Sequence, residues 1–324
     1  MCAMDKSLLN IKPNKKIKNS CQVLIISPGK GVYDYRVSGN IEIGQIVSVP
    51  LRRKVYQGIV LGRGTRGFPG SKLKDISEVH YSIVISSELL SFCLWLSSWY
   101  LSEKSQVFKM VISSATFLNV IKNKTILQFN KDYESKTTIL GDKVIEYLKN
   151  NKGLSISECS KQTNVSYSVI KKLIKDDIIL TKNINEFKTQ TIKKEKIPKL
   201  NSIQMNAVNE ILSSSLKNDS NIFLLDGVTG SGKTEVYLEI ISTELKKNKQ
   251  CLVLIPEIAL SNYFMDRFVE RFNFLPAVWH SDVSKTNKHR TWRQILNGEL
   301  KVVIGARSAL FLPFKNLSLI VVDE

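Results

Sequence analysis

The residues Gly227-Val-Thr-Gly-Ser-Gly-Lys-Thr234 have the types and the spacing that hold the phosphates of a nucleotide. Gly227, Gly230 and Gly232 permit backbone conformations closed to residues with a Cβ, so N–H groups such as those of Thr229 and Ser231 can turn toward an anion. Lys233 is long enough to reach the β- and γ-phosphates as a point charge, and the Thr234 hydroxyl is placed to ligate magnesium. A second run, Leu319-Ile-Val-Val-Asp-Glu324, closes an apolar stretch with two carboxylates. Many strands end in acids, and taken alone these two read equally well as strand-end caps. Paired with the glycine loop, Asp323 becomes the magnesium holder and Glu324 the base that orients an attacking water. Loop and acids together predict an NTP-hydrolysing core.

Such a loop needs a fixed support. Asn221-Ile-Phe-Leu-Leu-Asp226 predicts a short buried strand ahead of it, and Val236, Ile240, Ile241 and Leu245 recur at helical spacing behind it. Strand, loop and helix set the phosphates on a helix N-terminus, where the dipole favours an anion. The plain alternative, a glycine-rich turn beside a chance Lys-Thr, does not account for that order. Further strands are expected at Cys251–Ile255, Ala277–Trp279, Lys301–Gly305 and Ser318–Asp323, with helices near Ser261–Phe272 and Lys285–Leu296 between them. This alternation predicts a parallel sheet covered on both faces, with ligands beyond the carboxyl ends of its strands. The glycine loop, the Pro256-Glu257 turn, the Arg307-Ser308 turn and Asp323 all follow strands and are set to share one rim.

The rest of the chain reads as two further blocks. Cys21–Ser27, Tyr33–Val37, Gln45–Val49 and Gln57–Leu61 are strand-like and separated by turn residues, which predicts a small barrel or curled sheet. A helix over Ser87–Ser102 presents Leu90, Leu94, Trp95, Trp99 and Leu101, whose helical spacing among leucines reads as core rather than as a base-stacking platform. Helices are expected over Gly141–Asn150, Ser155–Gln162 and Ser166–Lys175, before a strand-like Ile178-Ile-Leu180. These resemble a winged helix with Lys171, Lys172 and Lys175 on its recognition element, or equally a small helical spacer with a solvated lysine face. Thr189–Lys199 reads as a linker. The expectation is a multidomain α/β chain: a β-rich module over 20–115, a winged-helix-like domain over 138–188, a linker over 189–199 and a P-loop lobe over 200–324.

Composition bounds the function. A chain of 324 residues has room for two or three domains, and 43% hydrophobic residues without an apolar run near twenty residues argue against a membrane span. The Lys-rich start, Met1–Ser20, lacks the apolar core of a signal peptide. Five scattered cysteines with no Cys-x-x-Cys pattern predict reduced cytoplasmic thiols, with neither disulfides nor a zinc site. A net charge of +18 points to nucleic acid, although Lys, Asn and Ile are abundant throughout and part of that charge reads as solvated surface.

Five runs carry a family resemblance: Asp226-Gly-Val-Thr-Gly-Ser-Gly-Lys-Thr-Glu-Val-Tyr237, Leu252-Val-Leu-Ile-Pro-Glu-Ile-Ala-Leu260, His280-Ser281, Gly305-Ala-Arg-Ser-Ala-Leu-Phe311 and Val321-Val-Asp-Glu324. In this order they resemble the first, RecA-like motor lobe of superfamily 2 helicases, specifically of the PriA family of primosomal replication-restart helicases. Upstream, Val32-Tyr-Asp-Tyr35 and Ile46-Val-Ser-Val-Pro50 resemble the module of that family that captures the 3′-end of a nascent strand. Asp34 matches the acid that touches the terminus there; a carboxylate accepts a hydrogen bond from a 3′-hydroxyl and repels a 3′-phosphate. The resemblance implies ATP-dependent 3′-to-5′ unwinding at stalled forks, with ATP and Mg2+ as cofactors. It implies forked DNA, single-strand-binding protein and primosome proteins as partners, no membrane, and a cytoplasmic, nucleoid-associated place. Pro256, Glu257 and Arg307 match positions that touch DNA or couple it to ATP. Gln204 stands where such helicases place an adenine-reading glutamine, or is an ordinary helix residue; His280 reads equally as a structural histidine.

Three departures accompany the likeness. Arg52 occupies a position where the family often has glycine, and Asn287-Lys288 replaces a usual Glu-Arg pair ahead of Trp292. The family also continues into a zinc-binding segment, a second motor lobe and a C-terminal domain, so its zinc has no ligands here. Two functions follow as expectations: the N-terminal fragment of a replication-restart helicase, or a non-enzymatic fork-binding remnant that holds ATP and DNA without unwinding.

Overall fold

Runs of β-branched residues broken by turn residues recur between Ile17 and Arg63, and they pair into a sheet. The computed structural model describes residues 17–27, 29–64, 73–112, 124–130, 137–151, 154, 156–184, 190, 200–215, 221–228, 230–256 and 262–323. They fall into two compact units, residues 1–119 with 190–324, and residues 120–189.

In the first unit, β1 (Ile17–Ile25), β2 (Val32–Ile41), β3 (Gln45–Leu51), β4 (Lys54–Arg63) and β5 (Glu78–Val84) form an antiparallel sheet in the order β2-β1-β4-β3-β5. All four expected strands occur. Strand β5 was not anticipated, because Glu78-Val-His-Tyr81 has no strong pattern of its own and pairing with β3 makes it a strand. The sheet curls so that Tyr35, 3% exposed, donates its hydroxyl to the Pro50 carbonyl at 3.2 Å. The β3–β4 hairpin closes through Arg52-Arg53, and Arg52 takes φ +56°. This left-handed position explains why glycine suits it. Arg52→Gly is expected to raise stability by up to about 1 kcal/mol in denaturant unfolding; a lower midpoint would mean that the arginine side chain makes a contact worth more than the strain.

The single helix expected over 87–102 ends earlier. Helix α1 (Ser87–Trp99) begins at Ser86, whose hydroxyl accepts from Leu89 N–H at 3.3 Å, and Leu101 turns out of it at φ +50° and 94% exposed. A second helix, α2 (Lys104–Val111), follows. The core face of α1 is Leu89, Leu90, Cys93, Leu94 and Ser97, so Trp99 and Leu101 are not core residues.

The second sheet of this unit is parallel: β8 (Gln250–Leu254), β9 (Ala277–Trp279), β10 (Val302–Gly305) and β11 (Leu317–Val322), ordered β11-β8-β10-β9. Helices α6 (Ser202–Ser215), α7 (Lys233–Lys246), α8 (Asn262–Phe272) and α9 (Lys285–Asn297) surround it, and Arg307–Phe311 forms a 3-10 turn. Alternate residues of β8 serve two cores, as a sheet covered on both faces requires. Cys251 and Val253 pack with Tyr237, Phe264 and Phe268. Leu252 and Leu254 join Trp292, Val303, Phe108 and Leu90 in a core that continues to Leu24, Ile46 and Ile59 of the antiparallel sheet. Trp292 donates its Nε1–H to the Val111 carbonyl at 2.8 Å. Gln190, from the expected linker, is also anchored: its amide accepts from Lys301 and Val302 N–H and donates to the Leu275 carbonyl.

Asn221–Asp226 departs from expectation. It forms no strand; Ile222 and Leu224 stand 99% and 93% exposed. A strand exists only through a neighbour, and among the described residues none pairs with this segment. The outer edge of β11 is likewise unpaired among them, with Ile320 and Val322 exposed. Leu225 and Leu319 nevertheless pack on the same cluster with Val208, Val236 and Ile240.

In the second unit, β6 (Lys124–Phe129), α3 (Ile139–Asn150), α4 (Ile156–Thr163), α5 (Tyr167–Lys175) and β7 (Ile179–Ile184) enclose Leu127, Val144, Leu148, Cys159, Ile170 and Leu173. The ribbon expected after the helices is instead β7 paired antiparallel with β6, which precedes them. Lys171, Lys172 and Lys175 lie exposed on α5.

Candidate nucleotide and DNA sites

The strand register builds a rim. Val322 aligns with Leu254, Leu254 with Gly305, and Gly305 with Trp279, so these strands end level with one another. Asp323, Pro256, Arg307 and His280 follow immediately. Asp323 is held there by its own N–H, which donates to the Leu254 carbonyl at 2.9 Å. Pro256 and Arg307 are exposed, the latter opening the 3-10 turn. Thr229, Glu257 and Glu324 lie outside the described residues. His280 uses its ring locally, accepting from the Asp282 N–H at 3.2 Å. Lys288 donates to the Ser281 carbonyl at 3.0 Å and sits 6.0 Å from the Trp279 ring.

The glycine loop feeds α7, for which Gly232 is the N-cap. Gly232 has φ +85°, and a Cβ there would come within 2.3 Å of Gln204 Nε2. Gln204 explains itself in two steps. Asn201 N–H donates to its Oε1 at 3.0 Å while its own N–H donates to Asn201 Oδ1 at 2.9 Å, a reciprocal cap for α6. Its remaining Nε2 donates to the Ser231 carbonyl at 3.0 Å and so fastens the loop. The Asn-x-x-Gln spacing was a readable signal for the cap. Lys233 donates its ammonium to the Gly227 and Val228 carbonyls, which keeps a cation on oxygens inside the loop.

Sequence reasoning missed Tyr237 as a site residue. Its hydroxyl donates to Asp323 Oδ2 at 2.8 Å, tying the loop helix to the carboxylate on the rim. Burial, first, and then its bonds with Thr234 and Asp323 set its acidity; the net direction is upward, so the phenol is a standing donor. Arg267 pairs with Glu235, and Arg271 with Glu239 and Glu235, locking α7 against α8. A helix N-terminus, an ammonium, a hydroxyl and a carboxylate thus converge, and this donor set fits a nucleotide triphosphate with its magnesium ion.

On the antiparallel sheet, Asp34 pairs with Gln22 across β1 and β2, on the face opposite buried Tyr35. Burial, and secondarily the Asp34 carboxylate, push the Cys21 thiol up to about 12. Tyr33 is 39% exposed beside it. Among the described residues no helix is long and apolar enough to cross a membrane.

Comparison with known proteins gives these sites a class. Residues 22–113 match the family described as the 3′DNA-binding domain, 3′BD, of PriA, and residues 201–324 match the DEAD/DEAH box helicase family. The chain is therefore a multidomain α/β protein in which a 3′DNA-binding domain is joined to a helicase domain.

In particular, it is similar to the replication restart protein PriA over most of its length. The Rickettsia felis protein is 37% identical over 286 residues, 88% of this chain and 33% of that protein. The Chlamydia pneumoniae protein is 32% identical over 323 residues, 94% of this chain and 43% of its own length. That of a Synechocystis species is 28% identical over 404 residues, 97% of this chain and 48% of its own. The chain thus spans from a third to about half the length of these relatives.

Proposed function

We propose that this chain supplies the DNA-end-binding and ATP-binding parts of a 3′-to-5′ DNA helicase that acts in replication restart at stalled forks. The observation that carries the reading is the common core of its two matched domains, in which Leu24 and Ile46 of one join Leu252 and Trp292 of the other. A DNA end captured by the first domain is then held at a fixed place relative to the rim of the second.

The roles follow from the residues. Magnesium, when bound with ATP, neutralises charge on the β- and γ-phosphates. Lys233, Thr234 and Asp323 would hold that pair, with the N–H groups from Gly227 to Gly232 turned to the phosphates and Tyr237 keeping Asp323 in place. Glu324 is assigned the orientation of the attacking water, and Gln204 the contact to loop or adenine. Pro256, Glu257 and Arg307 are assigned the DNA strand, Lys171 and Lys172 its phosphates, and Asp34 the 3′-hydroxyl. The partners are forked DNA with a nascent 3′-end, single-strand-binding protein and primosome proteins, in the cytoplasm with the nucleoid.

The exposed Asn221–Asp226 favours a second reading of this chain by itself, as a protein that binds DNA and ATP without turnover or unwinding. Both readings require end recognition. A fork whose nascent strand ends in a 3′-hydroxyl is expected to bind about tenfold more tightly than one ending in a 3′-phosphate, since a charge-assisted hydrogen bond is exchanged for a repulsion. Asp34→Ala is expected to erase that preference. Equal binding of the two forks by the unaltered chain would falsify the assignment of Asp34.

A further inference from the structure

At the end of the parallel sheet away from the rim, lysines stand where its strands begin. Val302 of β10 aligns with Cys251 of β8, and Leu317 of β11 with Gln250, so Lys301, Lys249 and the Lys315-Asn316 pair lie side by side just ahead of the strands. Two buried glutamines hold this row in place. Gln190 Oε1 accepts the Lys301 N–H at 2.6 Å, and Gln250 Oε1 accepts those of Lys315 and Asn316, each at 2.8 Å. Gln250 in turn donates to the Ile295 and Leu300 carbonyls at 3.1 and 2.7 Å. Gly298 leaves room for the Lys315 stem, since a Cβ there would come within 3.4 Å of its Cδ. The Lys301 ammonium uses one of its donors on the Asn248 carbonyl, at a long 3.5 Å, and Lys315 is exposed.

Fixed main chains thus bring the Lys301 and Lys315 side chains together, and like charges repel. Burial, first, and then the Lys315 ammonium hold Lys301 below the ordinary lysine value. An anion between the two removes that repulsion. The acids nearest in sequence are engaged: Glu244, buried, pairs with Lys247 at 2.7 Å, and Glu299 accepts from the Asn297 amide at 2.9 Å. Lys246 and Lys247 suit the C-terminal end of α7 through its dipole, which does not account for Lys315.

We propose that Lys249, Lys301 and Lys315 contact the phosphates of double-stranded DNA, at the end of the parallel sheet opposite the nucleotide rim. The proposal rests on the DNA-binding reading above. The row presents charge without a ring. Single strands are held by aromatic platforms as well as by cations, whereas a duplex offers its phosphate backbone and keeps its bases stacked inside. The net charge of +18 favours the same polyanion.

The test uses the 324-residue chain and a blunt duplex whose 3′-ends carry phosphate, so capture of a 3′-hydroxyl makes no contribution. Affinity is followed by fluorescence anisotropy across a salt series. Each phosphate contact adds about 0.9 to the slope of log affinity against log salt. Lys301→Gln combined with Lys315→Gln is therefore expected to flatten that slope by roughly two and to lower affinity by at least about tenfold. Lys301→Arg combined with Lys315→Arg is expected to keep both. Lys315→Gln alone, at an exposed position, is expected to flatten the slope by about one, and it decides the matter if the double variant does not fold. An unchanged slope and affinity in the Gln variants overturns the proposal, as does failure of the unaltered chain to bind the duplex. Binding of tripolyphosphate through these lysines, with duplex affinity unmoved by their loss, shows a site for a free phosphate and also overturns it. A 3′-hydroxyl preference that stays intact beside an unmoved duplex slope counts against the lysine row alone. Absence of that preference, with the slope responding, counts against the Asp34 assignment alone.

Discussion

Lys233→Ala is expected to abolish nucleotide-dependent behaviour, lowering ATP turnover by at least about 10²–10³-fold, the range seen when one preorganised charge-stabilising group is removed. The expectation rests on the position of the ammonium, which lies inside the loop on the Gly227 and Val228 carbonyls. Alanine cannot neutralise the charge of a triphosphate, and no other lysine belongs to the loop. Turnover is to be measured with and without forked DNA, beside the thermal shift produced by ATP and magnesium. Fork-stimulated turnover that vanishes in the variant supports a working motor domain. Absence of turnover in both proteins, with ATP still raising the melting temperature of the unaltered chain only, supports the binding-only reading. Equal turnover in both proteins would remove Lys233 from the site.

Trp292→Ala is expected to cost about 3–5 kcal/mol, the range for removing a large aromatic from a core. Trp292 is 1% exposed, sits in the cluster common to both sheets, and donates to the Val111 carbonyl at the end of α2. Its loss leaves a cavity and an unpaired buried carbonyl at the junction of the two matched domains. Trp292→Phe restores part of the volume but not the donor, and is expected to cost about 1–3 kcal/mol. Denaturant unfolding followed by circular dichroism decides the matter. A single transition in the native chain that splits into two in Trp292→Ala would show that this side chain couples the domains. An unchanged midpoint would mean that the common core does not hold them together.

Much of the architecture was legible because it depends on local pattern. The parallel strands and their helices follow from alternating apolar runs, and the glycine loop from conformations that only glycine adopts easily. Asp323 and Arg307 were recognisable by what precedes them, and the register of β11, β8 and β10 does bring them to one rim. The stripe of aromatics on α1 misled, since helical spacing groups residues on a stripe without saying which stripe faces inward. Leu89, Leu90, Cys93 and Leu94 took the core, and the tryptophans remained outside it.

The sequence by itself determined the parallel strands with most of their helices, the residue pattern of the glycine loop and the order of the motifs, because each is encoded within a few neighbouring residues. Only tertiary structure decided which elements acquire neighbours. It left Asn221–Asp226 unpaired despite a strand-like composition, gave β6 to β7, and made β5 a strand through β3. It also placed Tyr237 against Asp323 across an interval of 86 residues. Pairing and contact at such distances depend on the closure of the whole chain, which no local window of residues contains.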